Sequence, residues 1–399
     1  MTQTILCLSS YFKGAAFLEA CKEAGLHVIL ATSDKSKDEP WPRENIDEFF
    51  HMPDLGKRAD IIHAVAYLAR NRQIDLIMAL DDFDVETAAH LREHFRLPGM
   101  SDSLARNFRD KLAMRTTAHN AGLLVPEFTG VFNYDELREF MGRVSPPWLL
   151  KPRSEASSMG IKKINHSDEL WPILESLGDQ QSFFLLEQFV AGDVYHVDGL
   201  VDNGEVLFSM AHKYGKPPLS VYSGGGVFIT RSLDRGSDES KALVELNKEV
   251  LKAMGLVRGA THSEYIKSQD DGRLYFLENA ARVGGANIAE CVDYAASVNL
   301  WREWARIEIA NLLSEKYQLP EIHSGYAGII NCLARQEWAD LSGYNDPEIV
   351  WRMNKKYHAG VIISSPDAAR VEALLNSYAE RFAYDFLAVM PPRQSSAEM

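Results

Sequence analysis

Two glutamates, Glu264 and Glu278, fall on segments 259–265 and 274–278, which read as antiparallel strands joined by a turn at Asp270-Asp271-Gly272. Facing carboxylates repel unless a cation or a proton sits between them. Oxygen ligands of this kind suit Mg²⁺, which keeps several waters and takes nucleotide phosphates as further ligands. The other reading turns one glutamate to solvent.

Three further stretches carry groups suited to the same chemistry. Trp148-Leu149-Leu150-Lys151 is an apolar strand with a lysine near its end, followed by a small-residue loop containing Ser157, Ser158, Met159 and Gly160. Such a loop can close over phosphates and donate backbone N–H groups. A surface hairpin with a snorkelling lysine fits the residues equally well. The loop is not a G-x-x-x-x-G-K sequence. Segment 184–190 holds Glu187, Gln188, Phe189 and Val190 before a glycine turn at Gly192. An apolar linker there suits a purine, whose edge backbone groups can read; an ordinary β-turn is the simpler account. Finally, Arg282-Val283-Gly284-Gly285-Ala286-Asn287 leads into a helix at 288–296. A glycine turn at a helix N-terminus is an anion site by geometry, and Arg282 adds a charge-assisted donor. Turn chemistry alone also explains the Gly-Gly pair. Tyr222-Ser223-Gly224-Gly225-Gly226 reads as a pocket-lining lid or as a plain hairpin turn.

These groups need a scaffold. The first hundred residues alternate strand and helix: strands at 5–8, 28–31 and 76–80, helices at 14–24, 61–70 and 85–94. Alternation of this kind predicts a parallel, doubly wound sheet. The turn after the first strand has one glycine, so the dinucleotide fingerprint is missing. Asp81-Asp82 ends the third of these strands, where α/β sheets place binding groups or simply meet solvent. A turn-rich boundary at 98–103 precedes a predicted helix over 104–121, and an α+β pattern runs to about residue 320. Segment 357–386 reads strand–helix–strand, and the polar tail 393–399 is expected to fray.

The chain has 399 residues, 46% hydrophobic and 25% charged, enough for two or three domains with a sizeable core. Its formal net charge of −14 argues against a nucleic-acid partner. Cys7, Cys21, Cys291 and Cys332 match no metal spacing and read as small core residues in a reducing compartment. The start lacks a basic leader and no apolar run is long enough for a membrane span, so the expectation is a cytoplasmic protein without a membrane partner.

In this order and spacing the four stretches resemble the ATP-grasp superfamily. Arg109-Asp110-Lys111 with Ala121-Gly122-Leu123-Leu124-Val125-Pro126 resembles its D-K helix and following a-G-x-x-x-P segment. Tyr195-His196-Val197-Asp198-Gly199 and Glu278-Asn279-Ala280-Ala281-Arg282 are similar to carboxylate–amine ligases of the bacterial L-amino-acid ligase type. The resemblance implies a mixed α/β and α+β chain. It divides into a Rossmann-like pre-ATP-grasp domain (1–100), an ATP-grasp domain of two α+β subdomains (101–320, with a lid at about 126–190) and a small C-terminal α/β subdomain (321–399). It implies ATP contacts from Lys111, Lys151, the 157–160 loop and 187–190, with Asp193 replacing a ribose carboxylate one residue away. Glu264 and Glu278 would bind Mg²⁺, and Arg282 would contact the reacting phosphate or substrate. His262, Ser223, Gly224, Gly225, Gly284 and Gly285 would border the substrates. The usual metal-binding asparagine falls on Ala280, leaving water or Asn287 to fill that place.

The implied reaction joins a small carboxylate to an amine, with amino acids as the expected pair, through an acyl phosphate, releasing ADP and phosphate. A homodimer is compatible with it. A non-amine nucleophile and a non-catalytic nucleotide-binding module remain the alternatives.

Overall fold

The computed structural model describes residues 2–389, without the side chain of Ser223. The polar tail at 393–399 lies outside the described residues.

Strands β1 (Thr4–Ser9), β2 (His27–Ser33), β3 (Glu48–Met52) and β4 (Leu76–Ala79) form a parallel sheet in the order β3-β2-β1-β4. Every residue of β1 is buried. Ile5 and Cys7 enter one hydrophobic core and Leu6 and Leu8 another, because a parallel strand covered on both faces buries both alternating sets. The four cysteines are buried free thiols. Strand β3 is partly exposed along its length, so it lacks the continuous apolar run that marks its neighbours.

A second sheet, in the order β5-β8-β6-β7, is antiparallel and comprises β5 (Phe128–Gly130), β6 (Trp148–Pro152), β7 (Lys162–Ile164) and β8 (Phe184–Gln188). Leu150, Leu186, Leu137 and Leu170 fill the core between this sheet and its helices.

The third sheet has eight strands. It contains β9 (Gly192–Asp202), β10 (Glu205–Tyr214), β11 (Phe228–Ser232), β12 (Gly259–Ser268), β13 (Leu274–Ala280), β14 (Tyr326–Leu333), β15 (Ile349–Arg352) and β16 (His358–Ser365). Their order is β13-β12-β9-β10-β11-β14-β16-β15. The C-terminal segment therefore shares a sheet with the preceding region: β11 and β14 pair from Phe228↔Asn331 to Arg231↔Gly328. Its last strand is replaced by an isolated bridge, Ala334↔Leu387, after the helix Ala368–Asp385.

Two other local expectations change. The helix predicted over 104–121 is broken: Asp102–Ala105 and a 3₁₀ turn precede a new helix, Lys111–Asn120. Asp110 caps that helix, accepting from Leu112 N at 2.9 Å, which forces a fresh start directly before Lys111. The glycine-rich segment is not a hairpin. Pro218–Gly224 is a short helix, started by a proline whose missing N–H costs nothing in the first turn, and Gly225 follows it at φ 68°. No helix among the described residues is long and apolar enough to cross a membrane.

Candidate active site

Two adjoining cavities, of about 300 and 290 Å³, share Lys111, Glu155, Ser158, Pro218, Glu264 and Glu278 as walls. Glu264 and Glu278 are direct partners across β12 and β13, with a register irregularity immediately after Glu264. Glu264 Oε1 accepts from the Tyr214 hydroxyl at 2.7 Å and lies 3.5 Å from His262 Nε2. Burial opposes its charge, but these hydrogen bonds outweigh it and hold the carboxyl below its usual range. Glu278 meets Lys111 Nζ at 3.1 Å. This hard-oxygen pair fits Mg²⁺. Ala280 lines the first cavity but offers no ligand atom, and Asn287 is not among the residues lining either cavity.

The second cavity is bounded by Lys151, Met159, Glu187, Gln188, Phe189 and Val190. Glu187 is buried, and its carboxylate does not stand open to a purine amino group. One oxygen accepts from Arg115 Nε at 2.7 Å and the other from Lys151 Nζ. Burial alone would raise its pKa; Arg115 and then Lys151 reverse that and lower it. Arg115 also donates to the Leu277 carbonyl and so ties β8 to β13. No sequence pattern singled out Arg115, whose partners lie 72 and 162 residues away. Asp193 is not among the cavity's lining residues. It is exposed and pairs with Lys213 Nζ at 2.7 Å, while its neighbour Val194 lines the cavity.

The loop between β6 and β7 is tied to the Lys111 helix. Lys111 N donates to Arg153 O at 2.8 Å, Lys111 Nζ donates to Glu155 O at 2.6 Å, and Arg109 donates to Ser154 O. Ser157 and Ser158 have positive φ, 55° and 59°, a costly conformation for residues other than glycine and one concentrated at ligand-binding turns. Both border the first cavity, Ser158 and Met159 border the second, and Gly160 borders neither.

Arg282 lies on the first cavity with Asp82, Arg109, His262 and Gly285. Its Nη1 donates to Val283 O at 2.9 Å, and Nη2 lies 3.5 Å from Asp82 Oδ2. Burial disfavours its charge, but the carboxylates around it, Asp82 foremost and then Asp81, Glu278 and Asp198, together outweigh that and raise its pKa. Asp82 in turn is held at about 2, since Arg109 and Arg282 overcome its burial. Behind them, Asp198 joins His262 Nδ1 at 2.8 Å and His196 Nδ1 at 2.6 Å. Gly284 is part of this packing and does not line the cavity: a Cβ there would stand 2.7 Å from Asp198 Oδ1 and 3.0 Å from His262 Nδ1. Gly225 lines neither cavity, whereas Tyr222 lines the first. The side chain of Ser223 and the exposure of Gly224 lie outside what is described.

Residues 144–290 match the ATP-grasp domain family, and residues 18–99 match the ATP-grasp N-terminal domain family. The chain belongs to the ATP-grasp superfamily. An L-arginine-specific L-amino acid ligase from Bacillus subtilis is 24% identical to this ATP-grasp chain over 373 residues, covering 88% of each. Among solved structures, an L-amino acid ligase from Bacillus licheniformis aligns with a TM-score of 0.75 at 18% identity, covering 98% of this chain and 100% of that one. An N5-carboxyaminoimidazole synthetase from Staphylococcus aureus aligns with a TM-score of 0.71 at 14% identity, covering 95% and 98%. The chain is an ATP-grasp ligase of the carboxylate–amine ligase group.

Proposed function

We propose that this ligase uses ATP and Mg²⁺ to convert a small carboxylic acid to an acyl phosphate and then joins it to an amine. ADP and phosphate are the other products. The observation that carries this reading is the wall shared by the two cavities: Lys111, Glu264 and Glu278 border both. A nucleotide in the second cavity would set its terminal phosphates at that wall, and a carboxylate in the first would approach from the other side.

A carboxylate is a poor electrophile until one oxygen becomes part of a good leaving group. Two anions must meet for that to happen. Glu264 and Glu278 would hold Mg²⁺, which supplies charge neutralisation for the transferred phosphoryl group. Lys111 and Arg282 add fixed positive charge at the shared wall and in the first cavity. Lys151 holds Glu187, and Arg115 shares that load, so both shape the nucleotide cavity around 187–190. The 157–160 loop and the helix Pro218–Gly224 would cover the site, since an acyl phosphate hydrolyses if water reaches it. The names of the relatives, which specify amino acids, support amino acids as the substrate pair.

The test is a screen of amino-acid pairs, read by phosphate release and by mass spectrometry of the condensed product. Phosphate release that requires both components, with a product mass equal to their sum less water, supports the reading. Release independent of the amine contradicts it.

A further inference from the structure

We propose that Asp82 is a specificity-determining residue that receives a protonated amine carried by the acid substrate. The acid activated here is then an ammonium-bearing one with an apolar side chain. The inference rests on the ligase reading above and concerns the first cavity only.

Asp82 follows β4, in a 3₁₀ turn capped by Asp81, and lines that cavity while being only 6% exposed. Its two cationic neighbours share one oxygen: Arg109 Nη1 is 2.9 Å and Arg282 Nη2 3.5 Å from Oδ2. Oδ1 is buried and has no hydrogen-bond partner. The Nε donor of Arg282 is buried and unpaired as well. A bare acceptor and a bare donor thus belong to one ion-paired couple on one cavity. Buried polar groups are almost always satisfied, so a matched pair left open is complementary to a ligand carrying both a cation and an anion. An amino acid has both on adjacent atoms: its carboxylate would meet Arg282 and its ammonium Asp82. Glu264 and Glu278 are committed to the metal in the reading above, so they do not compete for the ammonium. Phe108, Met114 and Ile288, all buried, supply an apolar wall for the side chain.

The test is calorimetric, on the full chain with ADP and Mg²⁺ present. L-leucine, L-methionine and L-phenylalanine are compared with 4-methylpentanoate, 4-(methylthio)butanoate and 3-phenylpropanoate, their counterparts lacking the amine. A site with a buried acceptor rejects an analogue lacking the donor, so at least one amino acid should bind more than about tenfold tighter than its counterpart. Asp82→Asn should bring that ratio to about twofold or less, because a neutral amide loses the charge pairing. Equal binding within every wild-type pair overturns the proposal, and so does binding of neither member of any pair. If Asp82→Asn does not fold, the wild-type ratio decides alone. If it folds and keeps the wild-type ratio, Asp82 has no such role. Phosphate release driven equally by the amine-free acids would remove the role of Asp82 and leave the ligase reading standing. Release of pyrophosphate would remove the ligase reading itself.

Discussion

Glu264 and Glu278 face each other in register across β12 and β13, yet they are held differently. Glu264 is fixed by Tyr214 at 2.7 Å, while Glu278 has Lys111 at 3.1 Å. One carboxylate is locked into the strand frame, and the other is paired with a lysine that touches both cavities.

Glu278→Gln should abolish Mg²⁺-dependent turnover and leave the fold intact. The change keeps the side chain's shape but removes one of the two anionic ligands proposed for Mg²⁺ and releases Lys111. Thermal unfolding should shift by no more than a few degrees, as expected for a partly exposed site outside the core. Undiminished turnover in a folded variant would overturn the metal assignment.

Lys151→Met should weaken ATP binding and also lower stability, by about 1–3 kcal/mol. The cost is moderate because Arg115 still pairs with the buried Glu187 carboxylate. Calorimetry reads the first effect and denaturant unfolding the second. A variant unchanged in both would mean that the Lys151–Glu187 pair neither shapes the nucleotide cavity nor stabilises the sheet.

Much of this arrangement was legible in the amino-acid order, and the misses have physical causes. The two strands that carry Glu264 and Glu278 follow from local pattern and a tight Asp-Gly turn, but their direct pairing does not: the register set by the turn would place Glu264 opposite Leu277, and the irregularity after Glu264 shifts it to Glu278. Lys151 at the end of a buried strand is equally local. Arg115 was invisible because it sits on a helix face of ordinary composition and acquires its role only when β8 and β13 close around it. Asp193 misled because a one-residue offset on a strand reverses the face: it reaches Lys213 at the surface while Val194 turns to the cavity. The break before Lys111 required recognising Asp110 as a cap inside an otherwise helical pattern. Pairing between β11 and β14 joins residues about a hundred positions apart, so no local pattern could place the C-terminal strands in the large sheet.

Asp84 provides a pH signature of the first sheet. Its carboxyl is buried, which together with nearby Asp81 pushes it up to about 7, although Ser10 donates to both oxygens at 2.6 Å. Because the folded value lies above the unfolded one, this group stabilises the fold most when protonated. Its contribution is lost as pH rises from about 4, the unfolded carboxyl value, through about 7. Asp84→Asn, which stays neutral, should therefore gain stability over the wild type on going from pH 5 to pH 8. Chemical denaturation at both values measures this, and a constant difference would show that Asp84 is ionised in the folded protein at both.

We propose transfer of the γ-phosphate to a carboxylate at the wall formed by Lys111, Glu264 and Glu278. It is tested most directly by chromatography of the nucleotides formed with the acid and amine supplied together. ADP is expected, formed only when a carboxylate is present and faster when a suitable amine is added. AMP with pyrophosphate would mean attack at the α-phosphate and would contradict that transfer.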